Sequence, residues 1–156
     1  VFLQRVAERY PDLNLNLFDL PAVIDAARAR LGRDGRIAMT AGSFLADPFP
    51  QGSDGISLIR VLYDHTDTTV AALLARVFEA LPGGGRVIVS EPMSGGAKPC
   101  RAGDAYFGFY TMAMTTGRAR SAERHMALLA EAGFVRARQH PTRQPMITSV
   151  ITAEKA

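Results

Sequence analysis

Apolar residues along this chain switch between two periods. Phe2, Leu3, Val6, Ala7 and Tyr10 recur at helical spacing over residues 2–10, and Pro11-Asp12 ends that helix. Residues 13–18 predict a strand. Asp19-Leu20-Pro21 opens a helix that runs to about Leu31, with proline in its first turn, and Gly32 and Gly35 break it. Residues 36–40 read as a short strand and residues 56–63 as an apolar one. Residues 68–81 read as a helix ended by Pro82-Gly83-Gly84-Gly85. Another apolar strand follows over residues 86–90. Helices are predicted over residues 105–114 and 122–132, the second closed by Gly133 just past its end. Residues 134–140 and 146–152 form a final pair of strands.

The element order is α-β-α-β-β-α-β-α-α-β-β. Such alternation predicts an α/β fold with a largely parallel sheet. The closing pair of strands has no intervening helix, so one of its strands is expected to run antiparallel. No Pro/Ser-rich linker and no internal repeat divides the chain.

Composition narrows the classes. A chain of 156 residues is one domain or part of one. With 47% apolar and 21% charged residues it is globular rather than disordered. No apolar run approaches the roughly 20 residues that span a bilayer, and no signal peptide opens the chain. Cys100 is the single cysteine, which excludes an internal disulfide and fits a reducing cytoplasm. Lys98 and Arg101 beside it favour the thiolate, but no His or second Cys accompanies it, so it reads as an ordinary loop cysteine. The net charge is +3, and of the 18 basic residues only Lys98 and Lys155 are lysine. The arginines are scattered apart from the Arg118/Arg120 and Arg136/Arg138 pairs. No basic patch with interleaved aromatics points to nucleic acid.

Several short segments carry candidate chemistry. Asp19 ends a strand within Phe18-Asp19-Leu20-Pro21. An acid there can accept hydrogen bonds from both hydroxyls of a ribose, or it can cap the next helix; both readings stand. Ala41-Gly42-Ser43-Phe44 follows another strand. Ser43 can hydrogen-bond and Phe44 can wall an aromatic ring, or the segment is a plain turn with Phe44 in the core. Arg60-Val61-Leu62-Tyr63-Asp64-His65-Thr66-Asp67 places a histidine, whose pKa lies near 7, two residues after a tyrosine, whose pKa is near 10. His65 is either a base or a surface loop residue. Asp64 could orient His65, and Asp67 reads as the cap of the next helix. Glu91 ends a strand, where burial would raise its pKa and suit it to proton handling.

The stretch from Glu91 to Ser121 is the densest. A strand ending in Glu91-Pro92 runs into a glycine-rich loop and then into a helix carrying Tyr106, Phe107, Phe109, Tyr110, Met112 and Met114. That order suits an apolar pocket at a strand's carboxyl end. The apolar helix is either core or the lining of a pocket for a long hydrocarbon, with Tyr106, Phe107, Tyr110 and Met114 as candidate lining residues. Gly83-Gly84-Gly85 follows a helix and precedes a strand, the reverse of a phosphate loop. His125 and His140 lack metal-ligand spacing, so no metal is expected.

These segments together resemble the class I O-methyltransferases that use S-adenosylmethionine. The match is strongest to their bacterial carotenoid branch, the hydroxyneurosporene (demethylspheroidene) O-methyltransferases. Phe18-Asp19-Leu20-Pro21 is similar to the family's FDLPxV, which favours the ribose role for Asp19. Gly42-Ser43-Phe44 stands where the family usually has Gly-Asp-Phe or Gly-Asp-Met around the adenine, with Ser43 replacing the acid. Arg60 fits a position that contacts the cofactor. Tyr63 stands at the family's usual catalytic histidine and His65 at its usual tryptophan. Glu91 matches an acid flanking the base, and Ala119 replaces a second such acid. The carotenoid branch shares the Leu-Tyr-Asp-His, Glu-Pro-Met-Ser-Gly-Gly and Gly-Arg-Ala-Arg-Ser patterns.

The resemblance implies a Rossmann-like sheet of order 3-2-1-4-5-7-6. It implies that residues 1–156 are a partial domain that lacks strand 1, the glycine loop after it and an N-terminal dimerisation domain. Strands 2 and 4 would then have exposed edges, an aggregation hazard, and this stretch alone would bind cofactor poorly and be inactive. A short protein of a different fold is the alternative. The implied reaction moves a methyl group from S-adenosylmethionine to a hydroxyl of an acyclic 1-hydroxy-carotenoid, a small hydrophobic substrate, in a protein that is a homodimer. A phenolic or polyketide acceptor, and a non-catalytic remnant or binding module, are the other readings. A nicotinamide dehydrogenase is disfavoured because no dinucleotide fingerprint is present.

Overall fold

The computed structural model describes residues 2–31, 35–145 and 147–156. Gly32 and Met146, each placed at an element boundary by the sequence, lie outside the described residues. The chain forms two compact units, one ending at Gln51 and the other spanning Gly52–Ala156.

The first unit holds α1 (Phe2–Arg9), β1 (Leu15–Asp19), α2 (Pro21–Leu31) and β2 (Ile37–Ala41). β1 and β2 pair in parallel, from Leu15 opposite Ile37 to Asp19 opposite Ala41. The strand expected from residue 13 begins two residues later, because Leu13 belongs to the turn that Arg36 organises. The Arg36 guanidinium donates to the carbonyls of Leu13 (3.0 Å), Tyr10 (3.2 Å) and Pro11. One cation thus collects the carbonyls left over where α1 ends and β1 begins. Ile24 of α2 is fully buried.

The second unit holds β3 (Gly55–Ile59), a 3₁₀ turn (Leu62–Asp64), α3 (Asp67–Ala80), β4 (Arg86–Glu91) and β5 (Met93–Ser94). It continues with α4 (Phe107–Ala113), β6 (Arg120–Ser121), α5 (Ala122–Glu131), β7 (Phe134–His140) and β8 (Ser149–Lys155). A π-helical turn over Arg101–Tyr106 leads into α4. The main sheet has the order β3-β4-β8-β7. β3 and β4 are parallel, while β8 runs antiparallel to both β4 and β7. The expected order 3-2-1-4-5-7-6, taken without its strand 1, separates into 3-2 and 4-5-7-6. The described strands give these two blocks as β2-β1 and β3-β4-β8-β7.

Side-chain spacing explains the core. α3 buries Val70, Leu73, Leu74 and Val77, one face at i, i+3, i+4 and i+7. β4 buries Val87, Val89 and Glu91 at every second position, so the strand's own period carries an acid into the core after two valines. α5 buries Ala122, His125, Leu128 and Leu129. Phe78 meets Phe134 edge to face at 5.1 Å. Lys155 donates to the carbonyls of Phe78 and Leu81, both at 2.7 Å, and so caps the end of α3. The triple glycine is a turn: Gly84 (φ 78°) donates to the Lys155 carbonyl and Gly85 to that of Pro82. No described helix is long and apolar enough to cross a membrane.

Four element expectations need correction. The strand expected over residues 56–63 stops at Ile59, because Arg60 takes a left-handed conformation that turns the chain out of the sheet. The helix expected from residue 105 starts earlier, as the π-helical turn. The cap of α3 is Thr66, whose hydroxyl accepts from the Thr69 N–H at 3.3 Å; Asp67 is the first helical residue instead. The final strand is shifted to Ser149–Lys155 and continues antiparallel to β4.

His125 is 1% exposed, and neither ring nitrogen has a hydrogen-bond partner. Burial pushes its pKa down to about 4, helped by the nearby Arg120 charge and opposed by Asp67. The unfolded chain therefore takes up this proton first, near pH 6.5. Stability is lost as pH falls from 6.5 toward 4. His125→Met should remove this dependence. Relative to wild type, the variant should gain about 2 kcal/mol in urea unfolding at pH 5 compared with pH 8, from about 1.4 kcal/mol per pKa unit.

Candidate active site

In each unit the sequence-predicted residues gather at the carboxyl ends of parallel strands, where open α/β sheets place ligands. In the first unit Asp19 closes β1, and its carbonyl accepts from the Gly42 N–H at 2.9 Å, just past β2. Asp19 Oδ1 accepts from the N–H of Leu20 at 2.8 Å. Gly42 is buried, and a Cβ there would lie 2.5 Å from Cε2 of Phe18. A side chain at this position would have to push the Phe18 ring aside. Ser43 begins the turn: its hydroxyl accepts from Leu45 N–H at 3.2 Å, while its own N–H donates to Asp47 Oδ2 at 2.8 Å. Phe44 is half-buried beside it.

In the second unit the chain leaves β3 at Arg60, whose φ of 56° is uncommon for a residue with a side chain. Arg60 N–H still reaches the Ser90 carbonyl at 2.9 Å. The turn that follows points two backbone N–H groups, of Val61 and Leu62, at Glu91 Oε1, each at 2.8 Å. Glu91 is fully buried and its second oxygen has no partner. Burial pushes its pKa up to about 7, against the pull of the Leu62, Val61 and Tyr63 N–H groups. Desolvation therefore outweighs the backbone hydrogen bonds, and Glu91 can hold or release a proton near neutral pH.

Tyr63 follows in the same turn and is 4% exposed. Its hydroxyl accepts from Arg60 Nη2 at 3.3 Å, and its ring lies 5.7 Å from Tyr110 and 6.4 Å from Phe107. A hydrogen bond with Tyr63 also raises the Tyr110 pKa. The Arg60 guanidinium lies over the rings of Tyr63 (5.4 Å) and Phe107 (5.7 Å), within cation–π range. His65 ends the turn in extended backbone and is half-buried. Burial raises the Asp64 pKa, while the His65 and Arg60 charges lower it, so Asp64 lies within electrostatic reach of His65.

The structure thus brings Arg60, Tyr63, Glu91, Phe107 and Tyr110 together. The remaining helix residues behave differently. Tyr106 stacks edge to face on Phe107 at 5.1 Å but is 67% exposed, and Met114, past the end of α4, is 50% exposed. Within α4 the buried side belongs to Phe107 and Thr111. The sequence marks Arg120 only as half of the Arg118/Arg120 pair. It is buried, and its guanidinium holds the carbonyls at both ends of the Tyr63 turn. Nothing in its spacing signals this, because the turn carbonyls and the Asp67 carboxylate that it bonds lie more than 50 residues away.

Comparison with known proteins places this geometry. A model described as the O-methyltransferase domain matches residues 1–135. The chain belongs to the O-methyltransferase family. It is 53% identical over 154 residues to demethylspheroidene O-methyltransferase of Rhodobacter capsulatus, covering 99% of this chain and 38% of that protein. Against the protein of that name from Cereibacter sphaeroides it is 53% identical, covering 97% of this chain and 41% of the relative. Mouse acetylserotonin O-methyltransferase is 36% identical over 92% of this chain and 39% of its own length. The crystal structure of human N-acetylserotonin methyltransferase in complex with SAM superposes with a TM-score of 0.85 at 27% identity, covering 99% of this chain and 44% of that one. The chain therefore spans about two fifths of the length of these relatives, and the family and fold expected from the sequence are borne out.

Glu91 yields two contrasting variants. Glu91→Ala strips the acceptor from two buried N–H groups and should cost about 3 kcal/mol in urea unfolding. Glu91→Gln keeps an acceptor but cannot ionise. Wild type loses stability as pH rises from 4.5 through about 7, since the folded pKa is raised. The Gln variant should therefore gain on wild type across that window, by about 3 kcal/mol at 1.4 kcal/mol per unit.

Proposed function

We propose that the protein carrying this chain transfers a methyl group from S-adenosylmethionine to a hydroxyl of an acyclic 1-hydroxy-carotenoid. The observation that carries this reading is the 53% identity to a demethylspheroidene O-methyltransferase along 99% of the chain. S-adenosylmethionine supplies the methyl group when bound. The donor set of the first unit suits its nucleoside. Asp19 is an acid at a strand end that can accept from two ribose hydroxyls. The Ser43 hydroxyl accepts from Leu45 and keeps its own proton to donate to a ring nitrogen. Gly42 and Phe44 complete that set; Arg60 is proposed as a cofactor contact on the family resemblance alone.

The acceptor side belongs to Tyr63, His65, Glu91 and α4. An aliphatic hydroxyl is nearly as weak an acid as water, about 15.7. Its proton therefore leaves with or after methyl transfer, and no strong base is needed beforehand. Tyr63, whose hydroxyl accepts from Arg60 and whose ring packs on Tyr110, orients the acceptor hydroxyl. His65 or Glu91 takes the proton, and Tyr106, Phe107, Tyr110 and Met114 line the way for the hydrocarbon. The residues act chiefly by orienting the acceptor and excluding water.

Two other readings each have an observation behind them. Identity of 36% to acetylserotonin O-methyltransferase favours an aromatic hydroxyl as acceptor. Tyr63 and Ala119, at positions where the family carries a base and an acid, favour a protein that binds without turnover.

The full-length protein should be assayed with S-adenosylmethionine against a 1-hydroxylated acyclic polyene and against phenolic alcohols. The polyene should give the methyl ether with the higher kcat/KM. His65→Ala or Glu91→Ala should lower kcat by about 100-fold, the scale of general acid–base assistance. Unchanged turnover in both variants would sink the proton assignment. A higher kcat/KM on phenols would move the acceptor class to aromatic alcohols, and cofactor binding with no turnover on either would leave a binding module.

A further inference from the structure

Arg120 is 3% exposed, an unusual placement for a charged residue in a two-residue strand. A guanidinium carries five N–H donors in one plane, and here the acceptors match them. Nε donates to Asp67 Oδ1 at 2.8 Å. Nη1 donates to the Leu62 carbonyl at 2.8 Å and to the Arg118 carbonyl at 3.3 Å. Nη2 donates to the His65 carbonyl at 2.7 Å and lies 2.7 Å from Asp67 Oδ1. Leu62 opens the 3₁₀ turn and His65 follows its last residue, so the two carbonyls bracket Tyr63 and Asp64. The segment before β6 grips the same turn. Thr116 donates its hydroxyl proton to the Asp64 carbonyl at 3.1 Å. Gly117 (φ 87°) packs so closely on the Tyr63 carbonyl and the Asp64 backbone that a Cβ has no room.

We propose that Arg120 is a positioning residue for methyl transfer: by fixing the carbonyls on both sides of Tyr63 it sets the direction in which Tyr63 and His65 are presented. Asp67, which also pairs with Arg118 and Arg124, supplies the counter-charge beside this buried cation. Lysine could carry the charge, but its single ammonium has no planar fork to span both carbonyls and the carboxylate. The inference rests on the methyl-transfer reading and assigns that site a residue that does not itself touch substrate.

The test uses the full-length protein with Arg120→Lys and, separately, Asp67→Asn, which weakens the ion pair and leaves the carbonyl bonds. Amide hydrogen exchange over residues 61–66, the Kd for S-adenosylmethionine, and kcat and KM for the polyene alcohol are measured. In Arg120→Lys, exchange over 61–66 should quicken about ten-fold. The Kd should stay within about two-fold, while kcat falls about 100-fold, the cost of a displaced reacting geometry. Asp67→Asn should move the same readouts in the same direction by less, and it carries the test if Arg120→Lys does not fold. A kcat within about two-fold of wild type despite faster exchange would overturn the proposal. So would cofactor affinity, kcat and exchange protection throughout the unit falling together, which marks a purely structural arginine. A wild-type protein that binds the cofactor but methylates no acceptor removes the methyl-transfer reading itself, an outcome read before any variant is made.

Discussion

The arrangement of the second unit depends on one short turn being held from both ends. A 3₁₀ turn leaves N–H groups unpaired at its start and carbonyls unpaired at its end. At the surface water would satisfy them; here the turn is buried, and unpaired groups would cost several kcal/mol. Two charged side chains do the work instead. Glu91, delivered by the alternation of β4, takes the N–H groups of Val61 and Leu62. Arg120, delivered by β6, takes the His65 carbonyl past the end of the turn and also donates to the Leu62 carbonyl, which the His65 N–H already meets at 3.2 Å. Both come from elements far along the chain, so the turn is complete only when the sheet and the β5–β6 pairing have formed. The two grips differ electrostatically. Arg120 has Asp67 as counter-charge, whose carboxyl is held down at about 2, first by Arg118 and also by Arg120. Glu91 forms no ion pair among the described residues, and its affinity for a proton is set by burial, opposed by backbone dipoles and aided by the Asp64 charge.

Tyr63 sits between these grips, and its surroundings explain why a tyrosine can serve there. A histidine at this position would act by taking a proton. On the proposed reading, a phenol whose hydroxyl accepts from Arg60 and whose ring packs on Tyr110 offers direction rather than basicity. That division is consistent with an acceptor whose hydroxyl is too weak an acid to be deprotonated in advance. The left-handed backbone at Arg60 belongs to the same arrangement. It ends the strand abruptly, so that the next two N–H groups face Glu91 while the guanidinium returns over the Tyr63 ring.

How much of this was legible in the sequence depended on whether a residue's role followed from its own neighbours. The burial of Glu91 did, because strand alternation carries it to the same face as Val87 and Val89. The positions of Asp19 and Gly42 did as well, since strand ends are marked by local turn chemistry. The end of β3 did not. The run from Ile56 to Tyr63 stays apolar past Arg60, and no glycine announces the positive φ. Arg120 was unreadable for a related reason: apart from the Asp67 carboxylate its acceptors are carbonyls, which every residue carries, and only tertiary contact selects which ones. The aromatic helix gave no face by pattern because it is apolar all round, and only the structure separates buried Phe107 and Thr111 from exposed Phe109 and Met112.

The same separation bears on how a site of this kind could change its acceptor. The Tyr63 turn is fixed by main-chain groups bonded to Glu91 and Arg120, and those bonds do not involve α4. Among the described residues, α4 meets the turn through ring contacts, those of Phe107 and Tyr110 with Tyr63, backed by the Arg60 cation over Phe107. Ring contacts of this type tolerate exchange of one apolar surface for another better than bidentate hydrogen bonds do. Phe109, Met112 and Met114 are each at least half exposed and outside those contacts. On the proposed reading, substitutions there alter which hydrocarbon is accommodated while leaving the presentation of the hydroxyl intact. Relatives named for demethylspheroidene and for acetylserotonin, matched at 53% and 36% identity, are what such a division of labour would produce.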